Sequence, residues 1–186
     1  MKRATDLVLS MPIAILLALP AAAIAMVVRY LDGGTALYWS PRVGRHGRIF
    51  QMPKFRTMKV GTPQVATDKL ADPASRLTPI GGFLRKFSLD EIPQLWSVLK
   101  GDMSLVGPRP ALFNQHELIA ARKARGIDVL RPGITGWAQV NGRDDIPEWR
   151  KVELDEQYLN RRSFWFDMKI LWLTAWRVIR RQGVSH

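Results

Sequence analysis

Cysteine is absent from this sequence of 186 residues, and histidine occurs only three times. The chain therefore has no disulfide, no thiolate zinc site and no thiol nucleophile. Zinc binding would have to depend on the histidines together with acidic residues. His116 stands next to Glu117, but no second histidine follows at the spacing of a metalloprotease helix. We therefore expect His116 to be an exposed helical residue.

Acidic residues are scarce as well, since 16 Asp and Glu oppose 28 Lys and Arg and leave a formal net charge of +12. Such an excess predicts a polyanionic partner, either nucleic acid, anionic lipid or a phosphorylated substrate. The sequence has no zinc-finger spacing, no aromatic RNA-binding strand and no basic helix without a hydrophobic stripe, so we expect no nucleic-acid partner. The length and the 47% hydrophobic content fit one domain, or one domain with a membrane element.

Charge is missing altogether from residues 7–28, which lie between Asp6 and Arg29. As one helix this run would be about 33 Å long, enough to cross the hydrocarbon core of a bilayer. Three alternatives are open. The run is a cleaved signal peptide with its cleavage site at the small residues 23–25, a transmembrane helix, or a re-entrant helix that enters and leaves on one face.

Two features favour the re-entrant helix. Pro20 removes one helical hydrogen bond, and a bend there would divide the run into residues 7–19 and 21–28, each too short to span a bilayer. Pro12 would ease the first arm. Positive charges also flank both ends of the run, which places both ends on the same side if positive loops stay cytoplasmic. These charges are Lys2, Arg3, Arg29, Arg42, Arg45 and Arg48.

Residues 84–110 combine a carboxylate pair, two arginines and a predicted helix start. The stretch from Ser88 to Glu91 has the form of a capping box, in which Ser88 accepts from a first-turn amide and Glu91 reaches back to the Ser88 amide. Pro93 favours a helix that begins nearer Asp90, because proline is tolerated only in the first turn. Either start places Asp90 and Glu91 at a helix N-terminus.

A helix N-terminus stabilises anions, either side-chain carboxylates or a bound phosphate. Acidic residues are also common there as simple caps, so the pair alone does not distinguish a site from a structural feature. Arg85 lies just upstream, and Arg109 stands between two prolines that restrict its backbone. Because adjacent carboxylates repel each other, a divalent cation would help to keep both ionised. Oxygen ligands near phosphates favour Mg²⁺, with Asp90 and Glu91 as its ligands.

The segments around this region carry further cations. Residues 38–58 are predicted to form short strands joined by a glycine-containing turn, and they include Lys54 and Arg56. Residues 61–82 are polar and contain three prolines, which predicts a loop near the site. After a predicted helix in residues 111–125, Arg131 and Arg143 stand in turn-forming sequences that suit phosphate or sugar contacts but are equally common in plain loops.

Two helices are predicted near the C-terminus. Residues 148–161, capped by Asp144 and Asp145, are highly charged and predict a solvent-facing helix. Residues 164–181 are amphipathic, and their tryptophans, with cations that can snorkel, favour an interfacial membrane helix over a core helix. The apolar stripe contains Trp165, Met168, Trp172, Trp176 and Ile179, while Asp167, Thr174, Arg177 and Arg181 are predicted to point away from it.

Taken together, these segments resemble the monotopic phosphoglycosyl transferases of bacteria, a family also described as bacterial sugar transferases. The similarity covers most of residues 41–186 and rests on several motifs in family order. These motifs are Lys54-Phe55-Arg56-Thr57-Met58, Ser88-Leu89-Asp90-Glu91-Ile92-Pro93-Gln94-Leu95, Lys100-Gly101-Asp102-Met103-Ser104, Gly107-Pro108-Arg109-Pro110, Arg131-Pro132-Gly133-Ile134-Thr135-Gly136 and Gln139-Val140-Asn141-Gly142-Arg143. One departure is Leu19 before Pro20, where the family often has serine at the bend.

The resemblance implies an α+β, mostly helical fold at the cytoplasmic face of the bacterial inner membrane. Residues 1–30 would form a re-entrant membrane helix, and residues 31–186 a small catalytic domain with interfacial amphipathic helices. The implied reaction transfers a sugar-1-phosphate from a UDP-sugar to undecaprenyl or another polyprenol phosphate and releases UMP. A basic, membrane-anchored adaptor without catalysis is the alternative, but it leaves the clustered acids and arginines unexplained.

Within this reaction we assign roles to the candidate site residues. We expect Asp90 to attack the sugar-bearing phosphorus and form a covalent aspartyl intermediate. Glu91, the second catalytic residue, acts chiefly as a ligand of Mg²⁺ or also in proton handling. Six cationic side chains are predicted to bind the substrate phosphates, namely Arg85, Arg109, Lys54, Arg56, Arg131 and Arg143.

Overall fold

The structure is a computed structural model that describes residues 2–63, 65, 72–142 and 146–180. Over these ranges the chain is mostly helical with small sheets, which confirms the predicted α+β class. In chain order the elements are α1 Lys2–Asp32, β1 Leu37–Val43, β2 Ile49–Phe55, α2 Gly81–Lys86, α3 Gln94–Lys100, β3 Ser104–Val106, α4 His116–Ala124, β4 Gly133–Thr135, α5 Glu148–Arg161 and α6 Phe164–Arg180.

The strands form two separate pairs. β1 and β2 make an antiparallel hairpin in which Val43 faces Ile49, and the chain reverses through a 3₁₀ turn that contains the left-handed residue His46 (φ 56°). This hairpin confirms the strands predicted in residues 38–58. β3 and β4 are parallel, with Ser104 opposite Gly133. Their backbones lie so close that a Cβ at Gly133 would stand 2.2 Å from the Gly107 nitrogen, which only glycine allows.

Helix α1 runs without interruption through Pro12 and Pro20. It is long and apolar enough to cross a membrane. Its middle is exposed, with 77% of Leu16 and 83% of Leu19 accessible, while Val28 near its end is fully buried with Phe55 and Leu84. Because the helix is not interrupted at Pro20, the bend predicted there stays a prediction. Both ends of α1 contact the folded domain.

The N-terminal end of α1 is held by polar contacts that its sequence did not reveal. The Arg3 guanidinium donates to the carbonyl oxygens of Val98 and Leu99, the last turn of α3. The Asp6 carboxylate is 1% exposed and accepts from the Leu105 amide at 3.2 Å and the Ser104 hydroxyl at 2.9 Å. Because both partners belong to β3, one end of the apolar helix is fixed to the strand that leads toward the candidate site.

The main core lies where α3, β3, α5 and α6 meet β2. Its buried residues are Met52, Leu95, Val98, Met103, Leu105, Val106, Val140, Tyr158, Phe166 and Ile170. The prediction of a solvent-facing α5 was wrong, because Val152, Leu154 and Tyr158 are buried on one side of the helix. The apolar residues are few and are interspersed with charged ones, one of which, Asp155, is itself buried, so the buried side of α5 was not evident in the sequence.

Helix α6 packs on the domain by a different face from the one its tryptophans form. Phe166 and Ile170 are buried, whereas 79% of Trp165 and 61% of Trp172 remain exposed. Asp167 points away from the tryptophan stripe, as predicted, but it faces the domain, where it is buried. It accepts from the Tyr158 hydroxyl at 2.7 Å and pairs with Lys2 at 2.7 Å. Asp167 raises the pKa of the Tyr158 hydroxyl, but less than burial does.

The structure differs from the predicted loop before α2 and from the predicted start of α4. The predicted loop of residues 61–82 ends in α2, a short helix that the sequence analysis missed. α4 begins at His116 rather than residue 111 and stops before Gly126, whose left-handed backbone (φ 67°) suits glycine. His116 is exposed, as predicted.

Candidate active site

The carboxylate pair lies in a 3₁₀ turn that precedes α3 and not in the first turn of an α-helix. Ser88 has a left-handed backbone (φ 53°, ψ 23°) and makes no side-chain cap, so the predicted capping box is wrong. The Glu91 side chain instead turns toward neighbouring cations. α3 itself begins at Gln94, with Pro93 before it. After the left-handed Ser88, the chain places Asp90 in the interior of the domain, where only 7% of the residue is exposed.

Lys54 on β2 lies beside both carboxylates. Its Nζ is 3.0 Å from Glu91 Oε1 and 3.9 Å from Asp90 Oδ2. Glu91 Oε1 is also 3.4 Å from Arg109 Nη2. These contacts join three segments that are distant in sequence, and they confirm that the paired acids have cationic neighbours.

Arg85 approaches the pair from α2. Its Nε donates to the Thr57 hydroxyl at 3.2 Å, and its Nη2 lies 3.6 Å from the Met58 sulfur. Burial lowers the pKa of the Arg85 guanidinium, and the nearby Asp90 carboxylate opposes this effect. The last two residues of the Lys54–Met58 motif therefore hold Arg85 in place.

Burial raises the pKa of the Asp90 carboxyl, and the negative charge of Glu91 acts in the same direction. The cations Lys54, Arg85 and Arg109 act against them. A carboxylate in this environment has lost most of its hydration shell, but cations still favour its charged form. Such a group is suited to nucleophilic attack on a phosphorus whose oxygens bind the same cations.

Arg109 follows β3 in a turn that is held by backbone contacts with β4. The Gly107 amide donates to Thr135 O at 2.9 Å, and the Gly133 amide donates to Pro108 O at 2.9 Å. A Cβ at Gly107 would lie 2.4 Å from Arg131 O, so this approach requires glycine.

Two other predicted phosphate-binding residues, Arg131 and Arg56, make their described contacts away from this cluster. Arg131 Nε donates to Gly101 O at 2.9 Å, at the C-terminal end of α3. Arg56 Nη2 donates to the Thr35 hydroxyl at 2.6 Å, in the segment after α1. Arg143 lies outside the described residues, as do the predicted caps Asp144 and Asp145. Phosphate binding by these arginines stays a prediction.

The structure also reveals residues near the site that the sequence analysis did not select. Arg122 Nη1 donates to Arg109 O at 2.8 Å, and the Arg122 side chain pairs with Asp155 on α5. Arg42 Nη1 donates to Pro110 O at 3.1 Å. No sequence signal identifies these residues, because arginines and acids on helices and strands usually face solvent.

The oxygen atoms of Asp90 and Glu91 fit Mg²⁺, which commonly takes one or two carboxylates and completes its shell with water and substrate phosphates. In the part of the chain that the structure describes, no cluster of three or more His, Asp or Glu side chains could hold a metal ion. A Mg²⁺ held by this pair would take its remaining ligands from water or from a bound phosphate.

Comparison with known proteins assigns the chain to a family. Residues 1–181 match the bacterial sugar transferase family. The chain belongs to this family of transferases. The match includes α1 as well as the segments that form the carboxylate site.

Individual relatives agree with this assignment. The sugar transferase EpsL of Bacillus subtilis (strain 168) is 45% identical over 159 residues, which cover 86% of this chain and 77% of EpsL. The undecaprenyl-phosphate galactose phosphotransferase of Salmonella typhimurium is 42% identical over 170 residues, 82% of this chain and 35% of that protein. The UDP-glucose:undecaprenyl-phosphate glucose-1-phosphate transferase of Escherichia coli (strain K12) is 38% identical over 186 residues, 95% of this chain and 40% of that protein. This chain thus spans most of EpsL, but well under half the length of the Salmonella and E. coli proteins.

Two adjacent glycines at the start of α2, the helix that carries Arg85, allow a test of how closely this helix approaches Thr57. A Cβ at Gly81 would lie 2.2 Å from Thr57 O, whereas at Gly82 the nearest atom is Leu77 Cδ1 at 3.8 Å. We expect Gly81→Ala to lower the free energy of unfolding by roughly 2 kcal/mol or more, because α2 must move away from Thr57. Gly82→Ala should change it by less than about 1 kcal/mol, and in the stabilising direction. Thermal unfolding in detergent measures both, and equal losses would contradict the close approach at Gly81.

Proposed function

We propose that this sugar transferase moves a sugar-1-phosphate from a UDP-sugar to undecaprenyl phosphate, or a related polyprenol phosphate, and releases UMP. This would be the first membrane step in the synthesis of a bacterial glycoconjugate such as an exopolysaccharide, O-antigen, capsule or glycoprotein. The observation that carries the proposal is the buried Asp90 carboxylate, which adjoins Glu91 and lies among Lys54, Arg85 and Arg109. The names of the Salmonella and E. coli relatives support the substrate classes.

The proposed reaction has two displacement steps at one phosphorus. An Asp90 carboxylate oxygen attacks the sugar-bearing phosphorus of the donor, and the bond to the bridging oxygen breaks so that UMP leaves. The lipid phosphate then attacks the same phosphorus and breaks the bond to Asp90, which regenerates the carboxylate and yields a lipid-linked diphosphosugar. A covalent intermediate suits this small site, because the soluble donor and the lipid acceptor can use it in turn.

The cations around the pair supply the electrostatic part of the proposal. Arg109 contacts Glu91, and Arg85 lies close enough to Asp90 to favour its charged form; both would bind oxygens of the donor diphosphate. Lys54 lies beside both carboxylates and would bind phosphate while it offsets their mutual repulsion. Phosphoryl transfer depends mainly on positioning and charge stabilisation, which preformed cationic contacts provide.

Glu91, together with Asp90, would hold Mg²⁺ in this proposal. A bound Mg²⁺ would neutralise charge on the diphosphate and on the departing UMP. Glu91 is the better-placed permanent ligand, because Asp90 is committed to covalent chemistry. Its present partners, Lys54 and Arg109, can exchange carboxylate contacts for phosphate contacts when the donor binds.

We further propose that α1 is re-entrant and that α6 lies in the headgroup layer at the cytoplasmic face of the inner membrane. Arg3 and Val28, at opposite ends of α1, both contact the same small domain, although a straight helix would separate them by about 37 Å. The exposed apolar middle of α1 and the exposed Trp165 and Trp172 of α6 support insertion into one leaflet.

Nucleotide release tests the reaction. With undecaprenyl phosphate in detergent or nanodiscs, one member of a UDP-sugar panel should give UMP and lipid-linked diphosphosugar, and that donor identifies the sugar. Without acceptor, intact-mass analysis should find the mass of one sugar phosphate added to the wild type and nothing added to Asp90→Asn. Asp102→Asn, a change at a carboxyl outside the cluster, is the control and should still form the adduct. An adduct on Asp90→Asn would refute the nucleophile, and a wild type inert with every donor would favour the adaptor.

Metal dependence tests the role of Glu91. Chelation should abolish UMP release, and added Mg²⁺ should restore it. Glu91→Gln should raise the Mg²⁺ concentration for half-maximal rate by about tenfold, because one charged ligand is lost. Glu117→Gln, on the exposed side of α4, serves as the matched control. An unchanged Mg²⁺ requirement in Glu91→Gln would remove Glu91 from the metal site.

Because the chain has no cysteine, single-cysteine variants can report its topology directly. Ala4→Cys and Tyr30→Cys lie on exposed positions near the two ends of α1, and Lys123→Cys marks the catalytic domain. A membrane-impermeant thiol reagent applied to sealed inverted vesicles should label all three, whereas Leu19→Cys in the bilayer should resist labelling. Labelling of only one end of α1 would establish a spanning helix instead.

A further inference from the structure

Two other arginines donate hydrogen bonds to the backbone of the turn that carries Arg109. Arg122 Nη1 donates to the carbonyl oxygen of Arg109 at 2.8 Å, and Arg42 Nη1 donates to that of Pro110 at 3.1 Å. Pro110 also restricts the backbone of Arg109 to extended geometry. The hydrogen bond from Arg122 then orients the peptide bond between Arg109 and Pro110. The side chain of Arg109 is the one that contacts Glu91.

Arg122 is itself fixed by a buried carboxylate. Its Nε and Nη2 lie 3.0 Å and 2.6 Å from Asp155 Oδ2, and the side chains of Arg122 and Asp155 are only 12% and 1% exposed. Burial raises the pKa of the Asp155 carboxyl, while the charge and hydrogen bonds of Arg122 oppose the shift. The pair joins α4 to α5 and leaves one guanidinium nitrogen free of Asp155 to bind Arg109 O.

An ion pair is a costly way to join two helices. Both charges lose hydration, and apolar residues of similar size often stabilise such a position equally well or better. The surroundings are already apolar, with Leu118, Ile127 and Val152 buried in the adjacent cluster. What an apolar pair cannot supply is a hydrogen-bond donor to Arg109 O. Lysine cannot replace arginine here, because it lacks the planar group that binds two partners in fixed directions.

We propose that Arg122, held by Asp155, is a positioning residue for Arg109 in the binding of the donor diphosphate. The inference rests on the proposed function, in which Arg109 binds a phosphate oxygen of the nucleotide sugar. Through these contacts, the packing of α4 on α5 determines where the Arg109 guanidinium stands relative to Glu91. Arg122 acts on the substrate only through Arg109 and is not itself a catalytic residue.

Arg122→Lys is the direct test, because it keeps the charge beside Asp155 but loses the fixed donor to Arg109 O. We expect the KM for the UDP-sugar to rise about tenfold and kcat to change less than twofold. The affinity for UDP, measured by calorimetry on the detergent-solubilised protein, should fall by a similar factor. Arg109→Ala should weaken UDP binding at least as much and should also lower kcat, because it removes a cation that stabilises charge during transfer. The double variant should be no worse than Arg109→Ala alone, because both changes disable one clamp.

The matched control is Arg125→Lys. Arg125 follows α4 and also pairs with an α5 carboxylate, Glu156 at 2.6 Å, but this pair is exposed at the surface. We expect it to leave KM, kcat and UDP affinity unchanged. If Arg122→Lys fails to fold, Asp155→Asn tests the same link, because it removes the charge that fixes Arg122 and should likewise raise KM.

Two outcomes would overturn the positioning role. In one, the effects of Arg122→Lys and Arg109→Ala on KM multiply in the double variant. In the other, Arg122→Lys or Asp155→Asn lowers the melting temperature but leaves KM and UDP affinity unchanged, as expected for a purely structural pair. A wild type that releases no UMP from any donor would contradict the proposed function, and the UDP affinities would still decide the role of Arg122.

Discussion

The structure around the candidate site depends on the interaction of two adjacent carboxylates, one of them largely buried, with cations from other parts of the chain. Asp90 and Glu91 repel each other, and burial further disfavours the charge on Asp90. Three cations from separate elements oppose these effects in part, although the pKa of the Asp90 carboxyl stays raised. They are Lys54 from β2, Arg85 from α2 and Arg109 from the turn after β3. Several local features follow, including the left-handed Ser88 and the glycine contacts that bring α2 and the β3 turn close enough.

Polar residues at the N-terminal end of α1 tie this helix to the elements that flank the cluster. An apolar helix contributes little orientation by itself, since its side chains pack equally well on lipid. Asp6 binds the amide and hydroxyl groups of β3, and Arg3 binds carbonyls at the end of α3. β3 leads to Arg109, and α3 follows directly after the carboxylates. The membrane element and the site therefore share two structural elements.

Particular residues separate what could be predicted from what could not. The hairpin, α5, α6 and the end of α4 were recognisable from local periodicity and glycine positions, because these signals depend only on near neighbours. The capping box was wrong, since Glu91 finds cations from other segments and these outweigh a local cap. The burial of Asp167 could not be predicted for a related reason, because its partners Lys2 and Tyr158 come from two other helices.

By itself, the sequence determined the family, the long apolar helix, the carboxylate pair and a set of six candidate cations, because each of these is recognisable from residues close together in the chain. Only the tertiary structure decided which cations meet the pair. It brings Lys54, Arg85 and Arg109 to Asp90 and Glu91, and it directs Arg56 and Arg131 to Thr35 and Gly101. The reason is physical: a long cationic side chain can reach any acceptor within several ångströms, and the packing of distant segments determines which acceptors lie there.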